Sequence, residues 1–256
     1  MSKRPDVSIV LLTWNRRAYL ERGLPDLYAK VSRELSHEII IMDNASSDGT
    51  LELVRQYEGN SETRVISNPK NIKLKGYNKL FGLCKGKVII EIDDDVIEYP
   101  QDFDKILCES LDVFPEYGYV ALDTVKNEKT DGGWPGWGDD SRNTIRSGIV
   151  MTEGPAKGYC AAFRRRDYRL IRPFTFFSKF SLSRPQDYVI SGLIRRILFK
   201  KTGILEGVKC LHACGPLYAK EFGRVDFDMK KMAESDCKER IHLYQKALAN
   251  GEIYTP

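Results

Sequence analysis

The chain has 256 residues, 42% of them hydrophobic and 30% charged, and 40 Lys and Arg against 36 Asp and Glu give a formal charge of +4. That apolar content can supply a core and excludes disorder as the main state, while the length fits one large α/β domain or two modest ones. No apolar run reaches the roughly 18 residues that a membrane-spanning helix needs. The apolar run near the N-terminus stops at polar Thr13, too short for a secretory signal, and the six scattered cysteines form no CxxC pair, so a cytoplasmic protein with reduced thiols is expected. The small charge excess argues against a nucleic-acid partner. The basic clusters Arg164-Arg165-Arg166, Arg195-Arg196 and Lys200-Lys201 are either solvated faces or sites facing an anionic ligand or membrane.

Val7 to Leu12 is a nearly continuous apolar run, the pattern of a strand covered on both faces. Leu20, Leu24 and Leu27 recur at helical spacing, with Pro25 expected to kink or restart the helix. Glu38 to Met42 predicts a second strand, ending at Asp43. Ser46, Ser47, Asp48 and Thr50 then offer caps for a helix through Leu51, Val54 and Tyr57. Arg64 to Ser67 predicts a third strand, Tyr77, Leu80, Phe81 and Cys84 a third helix, and Val88 to Ile92 a fourth strand that ends at Asp93-Asp94-Asp95. The alternation argues for a parallel sheet with right-handed crossovers. Beyond it, Phe103 to Phe114 predicts a helix, Tyr119 to Leu122 a strand, and residues 124–146 a long polar loop holding Trp134 and Trp137. Gly148 to Thr152 and Ala156 to Phe163 read as hairpin strands, 187–200 as a helix, Val208 to Leu211 as a strand, and Cys237 to Leu248 as a closing helix stopped near Gly251.

Open parallel sheets bind ligands at the carboxyl ends of their strands, which places Thr13, Asn15, Asp43, Asn44 and Asp93 to Asp95 on one rim. No GxGxxG follows the first strand and no GxxxxGK[ST] occurs, so there is no glycine-rich cradle for phosphates. Three adjacent carboxylates instead repel, each pair by roughly 1 kcal/mol at 4 Å in bulk water and more near a low-dielectric core. They read either as a solvated acidic turn or as a site for Mg²⁺ or Mn²⁺, which would cancel the repulsion and accept diphosphate oxygens.

Val7–Asn15 followed by Asp43-Asn44-Ala45-Ser46-Ser47-Asp48-Gly49-Thr50 resembles the opening of the family 2 glycosyltransferases, which have the GT-A fold: a mostly parallel central sheet flanked by helices, with a smaller mixed acceptor-side half. Asn71, Gly76 and Asn78 resemble that family's N…GxxxA-N segment, with Tyr77 and Lys79 off its commonest form, and Asp93 to Pro100 resembles its DxD motif. The resemblance continues weakly at Gly158 to Arg164, Gln186-Asp187 and Gly203, and ends at His212, so it spans most of residues 5–215. It implies a metal-dependent, inverting transfer from a nucleotide-diphosphate sugar, UDP-linked, to an acceptor hydroxyl. Asp43 would bond the uracil ring and Thr13 line the base pocket. Asn15, Asn71, Gly76, Asn78 and Asp94 would belong to the nucleotide-sugar site. Asp93 would contact ribose or metal, Asp95 would coordinate Mn²⁺ or Mg²⁺, and His212 would add a ligand to metal or diphosphate. Asp187 would be the general base; the acid that often precedes it in the family is here Gln186.

Each role has a plainer alternative. Asp187 could simply cap the helix that follows it, and His212, flanked by Cys210 and Cys214, could be a core residue or, less readily, a zinc ligand. Trp134 and Trp137 could stack on an acceptor or pack as a lid. Phe174, Phe176, Phe177 and Phe180 are expected mainly in the core, while Leu193 to Lys201 mixes apolar and basic residues as an interfacial helix would. The expected organisation is one GT-A domain over 1–256: a nucleotide-sugar half over 5–100, an acceptor and catalytic half over 101–220, and a helical tail over 221–256. The expected partners are the donor and a glycan, lipid-linked or protein acceptor, with peripheral association at the inner membrane surface left open. A non-catalytic nucleotide-sugar-binding module is the alternative. A sugar-phosphate nucleotidyltransferase is less well supported, because Thr13 to Arg17 lacks the glycines that a triphosphate loop needs.

Overall fold

The computed structural model describes residues 4–133, 142–178, 180–181 and 183–254. Four strands make the parallel half of its sheet, β1 (Val7–Thr13), β2 (His37–Asp43), β3 (Thr63–Ser67) and β4 (Val88–Ile92), in the spatial order β3-β2-β1-β4. Every position of β1 is buried, as expected for a central strand with both faces covered. The register sets Thr13 beside Asp43 and Asp43 beside Ser67, so these strands end level with one another and their following loops share one rim. Helices α1 (Arg17–Lys30), α2 (Thr50–Arg55) and α3 (Gly76–Leu83) connect them. Pro25 neither ends nor restarts α1, which runs through it as one helix, and α2 stops at Arg55, short of the expected Tyr57.

The second half is mixed. It comprises β5 (Val96–Glu98), α4 (Phe103–Val113), β6 (Tyr117–Thr124), β7 (Arg142–Arg146), β8 (Ile149–Glu153), β9 (Cys160–Arg164), α5 (Arg165–Phe177), α6 (Gln186–Ile197) and β10 (Lys201–His212). The two segments expected to form a hairpin do not pair with each other: β8 lies between β7 and β10, whereas β9 runs antiparallel between β4 and β6. A strand enters the region expected as a loop to 146, and α5 was not anticipated. Its buried residues, Asp167, Tyr168, Ile171 and Thr175, form a stripe too polar for the apolar pattern to flag. Phe174, Phe176 and Phe177 are accordingly exposed rather than in the core. Conversely, within Leu193 to Lys201 the side chains of Leu193, Ile194, Ile197 and Leu198 pack inward, with Ile194 fully buried, and Phe199 is the one apolar residue of that stretch left exposed. Three helices follow β10, namely α7 (Pro216–Glu221), α8 (Val225–Ala233) and α9 (Ile241–Asn250), where one was expected; α9 stops at Gly251, in the left-handed conformation.

Three polar residues hold elements together. Buried Asp104 accepts the Ser32 N–H at 2.8 Å and pairs with His37 Nε2 at 2.5 Å, giving that histidine a structural role. Arg164, read in sequence as part of a basic cluster, is buried and cannot face an anionic ligand. Its guanidinium donates to the Tyr117 carbonyl at 2.8 Å and to the Leu111 carbonyl in the last turn of α4, tying β9 to α4 and β6. Hydrogen bonds from a charged donor are worth about 1.5–3 kcal/mol each, and an orphaned buried carbonyl costs about 1–3. Arg164→Leu should therefore destabilise the chain by roughly 2–4 kcal/mol, a Tm loss of about 4–16 °C by calorimetry, whereas neighbouring exposed Arg166→Leu should shift it little.

Candidate active site

At the end of β4 the chain turns through Asp93, Asp94 and Asp95, and their compensation comes from distant segments. Arg16, in the turn between β1 and α1, lies 3.3 Å from Asp94 and 3.4 Å from Asp95. His212 comes from the last residue of β10. That strand pairs parallel with β6, shifts register, and then pairs antiparallel with β5, which sets His212 opposite Val96. The Ala213 N–H donates to the Asp95 carbonyl at 2.8 Å, and His212 Nε2 reaches Asp95 Oδ1 at 3.1 Å. On the other side of the ring, Nδ1 lies 3.2 Å from the Gly132 carbonyl, and the ring stacks on Tyr159. A Nδ1–H donated to that carbonyl leaves Nε2 directed at the acids, the arrangement that orients a metal-binding histidine.

Ligand atoms of Asp93, Asp95 and His212 all lie within 4.8 Å of one another, and among the described residues no other group of three does so. Cys210 and Cys214 are not in that group: Cys210 is buried, and the Cys214 sulfur lies 3.2 Å from Thr130 Oγ1. Two carboxylates and one imidazole suit Mn²⁺ at least as well as Mg²⁺, which prefers oxygen donors alone. The charges inside the cluster are unequal. Burial, reinforced by Asp95, pushes Asp93 up to about 7. Burial also opposes ionisation of Asp95, but His212 and Arg16 outweigh it and hold this carboxyl below the usual range. Burial likewise opposes the imidazolium of His212, and Cys214 and Asp95 outweigh it to push that pKa well above its ordinary value.

Beside the acids, Thr13 and Asp43 are buried neighbours across β1 and β2. Asp43 Oδ2 accepts the Ser46 N–H at 3.1 Å, while Asp43 Oδ1 and Thr13 Oγ1 have no protein partner. Buried polar atoms are seldom left without partners, so this pair fits a ligand with complementary polar groups. Asn15 knits the rim. It adopts a left-handed conformation that asparagine tolerates; its N–H donates to Ser46 Oγ at 2.8 Å and its Oδ1 accepts the Ser47 N–H at 2.7 Å. Asn44, not singled out as a site residue, is a buried hub that accepts from Asn68 and Ile72 and donates to the Lys73 carbonyl. Gly76 lets α3 approach β1, since a Cβ there would lie 2.6 Å from Leu12. Asn71 accepts the Lys73 N–H within its own turn, and Asn78 donates to the Thr175 carbonyl of α5, so these two are not gathered with the acids.

Asp187 lies in the first turn of α6, and Pro185, not Asp187, occupies the cap position. Its Oδ1 accepts the Tyr188 N–H and its Oδ2 the Gly158 N–H, both at 2.8 Å. Burial raises its pKa above the ordinary value despite these donors. Gly158 sits where any side chain would collide, because a Cβ would fall 2.9 Å from that of Asp187 and 3.1 Å from Glu91 Oε1. Glu91 is the residue that sequence reasoning passed over. It lies fully buried in the middle of β4, accepts the Tyr119 hydroxyl, and leaves Oε2 without a partner. Burial first, then Asp187, drives its pKa well above the ordinary carboxylate range. The signal was a lone charge inside Val88-Ile89-Ile90-Glu91-Ile92. From the long polar segment, Gly132 supplies the carbonyl to His212 and Gly133 the carbonyl to Lys157; Trp134 and Trp137 lie outside the described residues.

The architecture is that of the GT-A transferases. TarS from S. aureus (residues 1–349) superposes with a TM-score of 0.57 at 13% identity, covering 96% of this chain and 71% of that one. The mannosyltransferase PcManGT from Pyrobaculum calidifontis, solved with GDP-Man and Mn²⁺, superposes at 0.59 and 16% identity, covering 98% and 74%. Residues 8–171 match the model of glycosyl transferase family 2, and the chain belongs to that family. Among curated relatives, the undecaprenyl-phosphate 4-deoxy-4-formamido-L-arabinose transferases of Pseudomonas savastanoi pv. phaseolicola and Pseudomonas fluorescens Pf-5 are 26% and 27% identical, each over 57% of this chain and 44% of its own length. The chain thus spans less than half the length of these relatives. No described helix is long and apolar enough to cross a membrane.

The buried Glu91 carboxyl generates a stability prediction. Its folded pKa is raised, so the folded chain keeps a proton that the unfolded chain releases. Its contribution to stability is full below the unfolded value of about 4.3 and declines as pH rises from there towards the folded pKa. Glu91→Gln imitates the protonated form. It should match the parent Tm near pH 4 and exceed it near pH 8, by roughly 3–6 °C for each pKa unit of relief, measured by thermal melting across pH.

Proposed function

We propose that this family 2 glycosyltransferase moves a sugar from a UDP-linked donor to an acceptor with inversion, using a divalent cation held by Asp93, Asp95 and His212. The observation that carries this reading is the convergence of those three side chains beside the unpartnered Thr13 Oγ1 and Asp43 Oδ1. Asp43 would accept the ring N–H of uracil, and Thr13 would bond a neighbouring polar group. Asn15 and Asp94 would shape the loop over the ribose and diphosphate, Asp94 by holding Arg16 in place. A cation bound by the three ligands supplies Lewis-acid stabilisation of the departing diphosphate. Gly76 would keep α3 close against β1, and Asn71 and Asn78 would act on the donor only through the turns and the α5 contact that they fix.

Asp187 would take the proton of an acceptor hydroxyl as the new bond forms. Both of its oxygens accept backbone N–H groups, which orients the carboxylate, and each oxygen retains a second lone pair for the acceptor. The names of the relatives favour a second form of the same reading, in which the acceptor is a polyprenyl phosphate. A phosphate monoester is largely dianionic at neutral pH and needs no base, so the two acceptor classes make opposite demands on Asp187.

Titration calorimetry of the parent with UDP should show Mn²⁺-dependent binding that Asp95→Ala abolishes and Asp187→Asn leaves intact; unchanged affinity in Asp95→Ala would remove the metal assignment. With a hydroxyl acceptor, Asp187→Asn should lower kcat by about 10²–10⁴. The raised pKa of Asp187 gives the direction of the pH effect. kcat/KM should fall as pH drops through a pKa above the ordinary carboxylate range, and the Asn variant should lack that limb. With a phosphate acceptor, Asp187→Asn should retain most of the rate.

A further inference from the structure

We propose that α5 is a membrane-docking helix, and that its outer face and the groove beside it bind the surface of an anionic phospholipid bilayer. Leu170, Phe174, Phe176 and Phe177 on α5 are 62%, 49%, 61% and 89% exposed, the three phenylalanines grouped at the C-terminal end of the helix. Scattered exposed apolar residues need no explanation, but a cluster of three phenylalanines does. The charges around them are of one sign. Arg166, Arg169 and Arg172 are exposed on the same helix, while its single acid, Asp167, is buried and paired with Lys200 at 2.5 Å. A helix whose solvent face carries only arginines and bulky apolar groups is the composition that lies in the headgroup region of a bilayer.

The adjoining groove points to the same partner. It has a volume of about 540 Å³ and runs between α3 and α5, lined by Lys75, Lys79 and Arg172 with Phe176 and Phe180, and no carboxylate lines it. Arg172 lies over the Phe176 ring, so the cation sits directly against the apolar edge. Asn78 also lines the groove, and its Oδ1 has no partner. Three cations beside an aromatic rim complement a phosphate headgroup with its acyl chain alongside. Insertion of the phenylalanines and attraction of the cations are two separate signals, the combination that stable peripheral attachment requires. Docking there would turn the α5 end of the molecule to the bilayer, and only residues 178–186 separate α5 from Asp187. The proposal does not rest on the donor chemistry.

The test is co-sedimentation of the full chain with vesicles of phosphatidylcholine alone and of equimolar phosphatidylcholine and phosphatidylglycerol, without donor or metal. The parent should bind the mixed vesicles and bind phosphatidylcholine at least about tenfold more weakly. The double variants F174S/F177S and R169E/R172E should each lose at least about tenfold in partitioning onto mixed vesicles. F199S alters a residue that is 88% exposed beyond the end of α6 and should bind as the parent does. All the altered side chains are solvent-facing, and unchanged melting curves verify that the variants are folded. Equal binding to the two vesicle types, parental binding by the α5 variants, or no vesicle binding at all would overturn the proposal. So would a parent that sediments as a dimer and becomes monomeric in F174S/F177S, which would make a second copy the occupant. Loss of vesicle binding would leave the transferase reading intact, and loss of UDP binding would leave this one intact.

Discussion

Three consecutive carboxylates at the end of a strand buried from Ile89 to Ile92 are the constraint around which the rest of the molecule is arranged. At an effective dielectric near 20, two like charges 4 Å apart repel by about 4 kcal/mol, so Asp93, Asp94 and Asp95 need cations that the chain must bring from elsewhere. Arg16 arrives from the first turn of the sheet and His212 from the end of its last strand, almost two hundred residues apart in sequence. The length of β10 follows from this demand. One part of the strand extends the sheet beside β6 and β8, and the other leaves that register to pair with β5 and deliver the histidine. The fold therefore sets Arg16, His212 and Lys231 against three acids and divides the protons unevenly, with Asp95 held ionised and Asp93 pushed towards neutrality.

A second polar centre lies one layer deeper. Glu91 points from β4 into the interior, where Tyr119, Gly158 and the start of α6 meet it. Asp187 is held there by two backbone donors, and the absence of a side chain at Gly158 is what allows β9 and α6 to close on the same spot. Asp93, the first residue after β4, lies two positions beyond Glu91. The electrostatics of the rim and of this centre are coupled: Asp187 and Asp93 raise the cost of ionising Glu91, and Asp187 raises that of Asp93.

The parallel half of the fold was legible because its code is local. The apolar runs ending at Thr13, Asp43 and Asp93 specify covered strands, and the residues at their ends fall on one rim by topology alone. The family resemblance named Asp43, Asp95, Asp187 and His212, and the structure brings Asp93, Asp95 and His212 within reach of one another. What was not legible depends on long-range pairing. β8 and β9 read as partners because they are sequence neighbours, yet β9 is drawn between β4 and β6 by fully buried positions such as Ala161, Ala162 and Phe163. α5 was hidden because its inward stripe includes Asp167 and Thr175 while its phenylalanines face out, the reverse of the pattern that a buried amphipathic helix displays. Glu91 is masked by the apolar residues around it in β4, although a carboxyl inside a buried run is the kind of local inconsistency that marks a site.

The tail of the chain shows how the rim charges reach beyond the sheet. α8 contributes no fully buried residue, so burial of apolar area does little to hold it in place. It packs beside α7 and α9, and several of its side chains also meet the rim. Phe227 packs on Trp14 with ring centroids 4.8 Å apart, and Arg224 covers the other aromatic contact at 4.1 Å from the Phe227 ring. Asp228 stands 4.0 Å from Arg16, the same guanidinium that balances Asp94 and Asp95. The charge of Arg16 is thus divided among the acids of the β4 turn and an acid of the tail. Any ligand that relieves the repulsion among Asp93, Asp94 and Asp95 changes how much of that charge is left for Asp228.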